Sequence, residues 1–412
     1  MRQDWIDPEA VFIDLARDAG DLFWLDAGPG AVTGRSILGR GTAVSWDEVA
    51  RTPILPGPAP EVPSWVGALD YESGARWAGV PSVATRQQPL WLRVTEAVVF
   101  DHQARTMRVY GDASFRARVL AVPPAPAAPE AAVDAAARAR ATPQEYADLV
   151  ARCRESIRLG DAYQLCLTTR FQVPGSHDAV AVHRRLRRAA ASHHGGFLRV
   201  GDTSLVSISP EKFLGVEDGI VTTRPIKGTR ARSVDPDRDA QLAEELHASE
   251  KERAENVMIV DLLRNDLSRV CETGSVRVRG LWEVESYPTV HQLVSTVEGR
   301  LRTQLTVGEL LAAVFPAGSM TGAPKLSAMT ILAGLEREPR GLYAGCFGWI
   351  GANGATDLAM TIRTVVIDAA AATVGAGGGI TWGSIVADEV AEVGIKARTP
   401  LAAVGAVLPE GW

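Results

Sequence analysis

The sequence predicts an α+β fold in which antiparallel strands and helices are segregated instead of alternating. Three observations carry that reading. Alternating apolar and polar runs come in hairpin-like pairs, as in Glu96–Phe100 followed by Thr106–Tyr110. Long helical segments stand apart from them, near 144–160, 238–267 and 386–396. The one glycine run, Gly375–Gly379, follows a strand without opening a helix, so it lacks the form of a phosphate loop in a doubly wound sheet.

The bulk properties narrow the function. A chain of 412 residues can bury a sizeable core, and 46% hydrophobic with 22% charged residues is ordinary for a soluble globular protein. The net charge of −6, with no block of Lys and Arg long enough to suggest nucleic acid, repels phosphate backbones and disfavours that partner. Met1–Asp7 carries acidic residues where a signal peptide needs a basic stretch, and no run approaches the roughly 20 apolar residues of a membrane span. Cys153, Cys166, Cys271 and Cys346 are scattered, with no C-x-x-C pair, and read as reduced, mostly buried thiols. The expectation is a cytoplasmic small-molecule enzyme that does not touch the membrane.

Along the chain, residues 1–121 form a strand-rich region. Residues 122–143, almost wholly Ala, Pro, Glu and Arg, read as an exposed linker, and 144–412 form a second region. Thr142-Pro143 caps a helix through Tyr146, Val150 and Ile157, which ends at Gly160. Strands are expected at Gln164–Phe171, Ser204–Ile208, Gly219–Thr223 and Ser275–Val278. A single helix is expected over Arg238–Leu267, another over Leu326–Leu335, and one over Val386–Lys396.

Several residues could carry chemistry. Glu252 with Glu255, and Glu389 with Glu392, lie three apart on helices, so each pair projects from one face. Four carboxylates on two facing helices would suit Mg²⁺, although such pairs alone are most often solvated helix faces. Lys227 sits between Pro225 and Gly228 in what reads as a loop, and Glu211 in another. Both are solvent-facing by default, although Glu211 could serve as a general acid. Gly375–Gly379 is by default a hairpin turn. Pro316–Lys325 is a run of turn-formers at a helix start, suited to an anion. His291 is more often a packed or hydrogen-bonded histidine than a catalyst.

Taken together these segments resemble the chorismate-utilising enzymes. Gly160–Gln164 (GDAYQ), Ser209–Glu211 (SPE), Pro225–Thr229 (PIKGT), Lys251–Asp266 (KERAENVMIVDLLRND), Val290–Ser295 (VHQLVS), Pro316–Lys325 (PAGSMTGAPK), Ile362–Thr364 (IRT) and Gly377–Ile380 (GGGI) occur in the order seen in that family. The resemblance spans roughly 144–400, with echoes at Phe23–Asp26 and Gly67–Tyr71. It implies two antiparallel sheets packed together with helices outside.

The resemblance also implies roles. Glu255 and Glu392 would ligate Mg²⁺, with Glu252 and Glu389 assisting through water. Arg363, Lys396 and the backbone near Gly377 and Gly379 would hold the substrate's carboxylates, with Thr321 and Tyr343 at substrate-contacting positions. Glu211 would protonate the departing C4 hydroxyl. Isochorismate and salicylate synthases carry a water-activating lysine at the Gln164 position, so hydroxylation is disfavoured. Anthranilate synthases have alanine at the Lys227 position, whereas aminodeoxychorismate synthases use that lysine as a nucleophile. The implied reaction joins chorismate and ammonia into 4-amino-4-deoxychorismate, with ammonia supplied by a glutamine amidotransferase partner. The alternatives are anthranilate synthase, 2-amino-2-deoxyisochorismate synthase, or a non-catalytic metal-binding module. Two departures from the family pattern are Gln292, where many relatives have histidine, and Thr381–Asp388, which lacks the usual Asp-Ser-Asp-Pro-Glu.

Overall fold

A computed structural model describes residues 5–81, 90–131, 135–190, 192–287 and 289–412. Parts of the opening segment (1–4) and of the proposed linker (132–134) lie outside the described residues. Within them all strands but one separate parallel pair form one continuous antiparallel ladder that branches at the long strand Leu90–Asp101. One arm runs from there through Arg35–Val44, Leu22–Asp26, His194–Val200, Thr203–Ser209, Thr364–Ile367 and Ala371–Thr381 to Gln164–Pro174. The other runs through Trp65–Leu69, Cys346–Ile350, Thr356–Met360, Lys212–Glu217 and Ile220–Thr223 to Val290–Arg300. That last strand also pairs with Ile226–Ala231 and Arg277–Ser286.

The two arms pack face to face. Phe23, Leu198, Leu205 and Val366 of the first meet Val66, Leu92, Phe347 and Ala359 of the second in a shared core. Period-two alternation then turns the other face of each arm outward, where it is covered by helices. Leu165, Leu167, Phe171 and Val374 pack under Pro143–Arg158, Ala179–Ala189 and Val386–Val404. Phe213, Leu214, Val221 and Val297 pack under Glu250–Ser268 and Val307–Val314. This is the α+β class that the sequence pattern predicts, in the arrangement of two packed antiparallel sheets with outer helices that the family resemblance implies.

Several elements depart from expectation in detail. The helix expected over Arg238–Leu267 is two helices, Pro236–Ala248 and Glu250–Ser268. Ser249 has extended backbone and its side chain accepts from Glu252 N, so one residue ends the first helix and caps the second. The helix at Val386 runs on to Val404. Within 122–143 the proline-rich part is mostly exposed, but Ala135–Ala136 pairs with Ala406–Val407 and Arg138–Ala139 with Gln164–Pro174. Pairing of Leu22–Asp26 with His194–Val200, and of Trp65–Leu69 with Cys346–Ile350, joins the first 121 residues to the rest in one sheet. Among the described residues no helix is long and apolar enough to cross a membrane.

Candidate active site

The site lies where the free ends of the two arms face each other. Lys227 is not on a loop, as the sequence suggested, but in the strand Ile226–Ala231. Ile226 pairs with Val294 and Thr229 with Gln292, and the register slips between them. This irregularity leaves Lys227 and Gly228 out of the ladder, the kind of bulge that re-aims a side chain. Gly228 makes it possible: its φ is +80°, and a Cβ there would stand 2.8 Å from Leu246 and 3.0 Å from the Glu252 carboxylate. Lys227 Nζ lies 3.9 Å from Glu255 Oε2, with both side chains largely shielded.

Opposite is the glycine run, which is not a hairpin turn but the middle of the strand Ala371–Thr381. Gly375, Gly377 and Gly379 share the face that carries Gln164 and Thr168 of the neighbouring strand. A Cβ on Gly379 would meet Gln164 Nε2 at 2.6 Å and Lys227 Nζ at 3.2 Å, and one on Gly375 would strike the Tyr343 ring. The glycines therefore clear a track along this face. Gln164 is fully buried and neither polar atom of its amide has a hydrogen-bond partner among the described residues. A buried polar pair of that kind is normally satisfied, so the amide is available to a ligand.

Glu211 stands at the crossing between the arms, after Thr203–Ser209 and before Lys212–Glu217. Burial pushes its carboxyl up to about 7, and the Ser319 hydroxyl, donating to Oε1 at 3.1 Å, offsets this only in part. A carboxyl that titrates near neutrality can give up a proton at working pH.

The four helix carboxylates are held differently. Burial raises Glu255, helped by nearby Glu252 and Glu392, while Lys227 and Lys251 oppose it. Burial would also raise Glu392, but the Lys396 ammonium 2.5 Å away outweighs it and holds Glu392 below the usual range. Glu389 is raised by burial. It accepts from Ser384 Oγ at 2.6 Å through Oε1, while Oε2 has no partner among the described residues and points at Gly378. Glu252 lies 3.6 Å from Arg230. Among the described residues no three His, Cys, Asp or Glu converge as a closed metal cage. The all-carboxylate donor set, the orphaned Glu389 oxygen and the mutual repulsion of Glu255, Glu389 and Glu392 nevertheless fit a hard cation. Such a cation takes one or two carboxylates and completes its shell with water and substrate.

Arg363 is a cation without a partner among the described residues. Its φ is +51°, burial lowers its guanidinium, and among the described residues its side chain makes no ion pair or hydrogen bond. Lys396 Nζ donates to Gly377 O at 2.7 Å, so it is committed to the glycine strand as well as to Glu392. Burial raises the Tyr343 phenol strongly. Thr321 is fully buried, and its hydroxyl is turned to Ala317 O and Gly318 O, inside its own loop. His291 is a hydrogen-bonded histidine, between Ser286 Oγ at 2.8 Å and Asp239 Oδ1 at 3.0 Å.

Sequence reasoning missed the scaffold behind these groups. Asn256, next to Glu255, accepts from Ser295 Oγ at 2.6 Å and donates to Pro225 O, which anchors the segment bearing Lys227. Arg340 is buried, doubly bonded to Glu336, and donates to Met320 O and Cys166 O. It thereby ties the Pro316–Lys325 loop to the Gln164 strand. Glu72 accepts from Arg340 N and Gly341 N and fixes the approach to Tyr343. Ser319 and Asn256 lie inside the motifs already singled out; Glu72 lies far away in sequence and carried no signal.

Compared with known proteins, residues 40–402 match the family model described as chorismate binding enzyme. The chain belongs to the chorismate-binding enzymes. It is 41% identical over 339 residues to an aminodeoxychorismate synthase of Streptomyces pristinaespiralis, covering 82% of this chain and 46% of that protein. It is 40% identical over 342 residues to an aminodeoxychorismate synthase component 1 of Salmonella typhimurium, covering 80% and 74%. Among solved structures, anthranilate synthase component I from Streptococcus pneumoniae aligns with a TM-score of 0.78 at 30% identity, covering 90% of this chain and 93% of that one. This chorismate-binding chain spans about half the length of the Streptomyces relative it matches.

Proposed function

We propose that the chain converts chorismate and ammonia into 4-amino-4-deoxychorismate through a covalent adduct on Lys227. One observation carries the reading: the bulge that aims Lys227 Nζ at the cleared face of Gly379, beside Glu255 and Gln164. The Lys227 amine attacks C2 of the ring, the double bond shifts, and the C4 hydroxyl departs as water with the proton of Glu211. Ammonia then adds at C4, the bonds shift back, and the lysine amine is expelled. An ordinary lysine amine titrates near 10.4, so the step needs surroundings that favour its neutral form. Arg363, with Lys396 and the backbone at Gly377 and Gly379, supplies cationic and N–H contacts for the substrate's carboxylates, and Tyr343 and Thr321 bound the same space.

Glu255 and Glu392 would hold Mg²⁺, with Glu252 and Glu389 acting through water. When bound, the ion would anchor a substrate carboxylate and cancel the negative charge facing Lys227. All four cysteines are buried, and burial pushes the thiols up, Cys153 to about 12 and Cys271 to about 11. None has the thiolate that amide hydrolysis needs. We therefore assign ammonia supply to a glutamine amidotransferase partner, in keeping with the name "component 1" of the Salmonella relative. The test is incubation with chorismate, ammonium and Mg²⁺, with products identified by mass. An added aminodeoxychorismate lyase should release 4-aminobenzoate, whereas 2-aminobenzoate formed without it would place the chain with the anthranilate synthases.

A further inference from the structure

A second cavity of about 340 Å³ lies behind the Tyr343 ring, lined by Arg140, Thr168, Thr169, Tyr343, Val366 and Thr373 among others. It is large enough for a small organic ligand. Its cations are not equivalent. Arg170 is paired with Glu338 at 2.5 Å, and Arg340 with Glu336 at 2.8 Å. Arg140 has no carboxylate within 4.0 Å among the described residues; its one side-chain hydrogen bond goes to the carbonyl of Thr168. The single carboxylate on the wall, Asp368, accepts from Ala370 N and Ala371 N.

We propose that this cavity is a binding site for a small monocarboxylate with an apolar or aromatic body, its carboxylate held by Arg140. A half-buried guanidinium with four N–H groups unused among the described residues is the strongest unmet demand for an anion on the wall. Val366 and the Tyr343 ring supply an apolar flank. The ligand would press on the Tyr343 ring, which also packs against Gly375 of the glycine track, so occupancy would be felt at the candidate active site. Binding does not depend on the amination reading.

The test is isothermal titration of the full chain with benzoate, using benzamide as the uncharged isostere. Saturable benzoate binding is expected, with none for benzamide. Arg140→Gln should weaken it about tenfold or more, the loss expected when a charge-assisted hydrogen bond is removed. Thr373→Phe, which fills the cavity and keeps the charge, should abolish it, so the proposal remains testable if Arg140→Gln fails to fold. Arg363→Gln should leave it intact. The proposal is overturned by absence of saturable binding to the native chain or by binding that survives Thr373→Phe. Loss of binding in Arg363→Gln would also overturn it, since the carboxylate would then sit in the candidate active site.

Discussion

Replacing Glu211 with glutamine should stabilise the protein above neutral pH while removing 4-amination. The side chain keeps its shape, and its remaining oxygen can still accept from Ser319 Oγ. What disappears is a buried carboxyl lifted by desolvation from 4.5 to about 7. Below 4.5 that carboxyl is neutral in both the folded and the unfolded chain, so the folded state bears no penalty. Between 4.5 and about 7 the unfolded chain ionises while the folded one holds its proton, and stability falls; above about 7 the deficit is constant. At about 1.4 kcal/mol per pH unit, the full deficit is about 3 kcal/mol. Denaturant unfolding of both proteins in metal-free buffer should show little difference at pH 4.5 and the variant ahead by about 3 kcal/mol at pH 8. A variant no more stable than the parent at pH 8 would refute the argument. The parent's amination rate should also decline as pH rises through about 7, because the acid loses its proton.

Gly379→Ala should fold, since its methyl meets only the ends of Gln164 and Lys227, yet lose most turnover. Gly377→Ala, which would strike Leu167 O at 2.3 Å, should lower the melting temperature, and equal melting of the two would contradict this. Glu336→Gln leaves the Arg340 guanidinium buried without its carboxylate and should cost about 3–5 kcal/mol in unfolding measurements. Excess chelator should abolish turnover reversibly, and Glu255→Gln should raise the Mg²⁺ concentration needed for half-maximal rate. Full activity in chelator would remove the metal from the account.

Much of the fold was legible because period-two and period-3.6 patterns are local. Thr106–Tyr110 and the capped helix at Pro143 stand where the sequence put them. The misreadings share a cause. Lys227 and Gly375–Gly379 look like loops because Pro and Gly weaken strand propensity, yet both lie in strands held by neighbours from distant sequence. Only tertiary pairing reveals that their glycines exist to clear space for Lys227, Gln164 and Tyr343. Ser249 broke a continuous helical pattern through a single cap, a signal easily outweighed by the residues on either side. The order of the motifs pointed to the family, but the unpaired amide of Gln164 and the struts Arg340 and Glu72 exist only as contacts.

Trapping the adduct on Lys227 tests the central claim most directly. The chain would be mixed with chorismate and Mg²⁺ without ammonia, quenched, digested, and the Lys227 peptide weighed by mass spectrometry. The account predicts a peptide heavier by chorismate less one water, which disappears when ammonium is added and is absent from Lys227→Ala. Lys227→Arg should not restore 4-amination, because a guanidinium stays protonated. An unmodified Lys227 peptide throughout turnover, together with near-parental 4-amination by Lys227→Ala, would contradict it and leave direct attack of ammonia on chorismate.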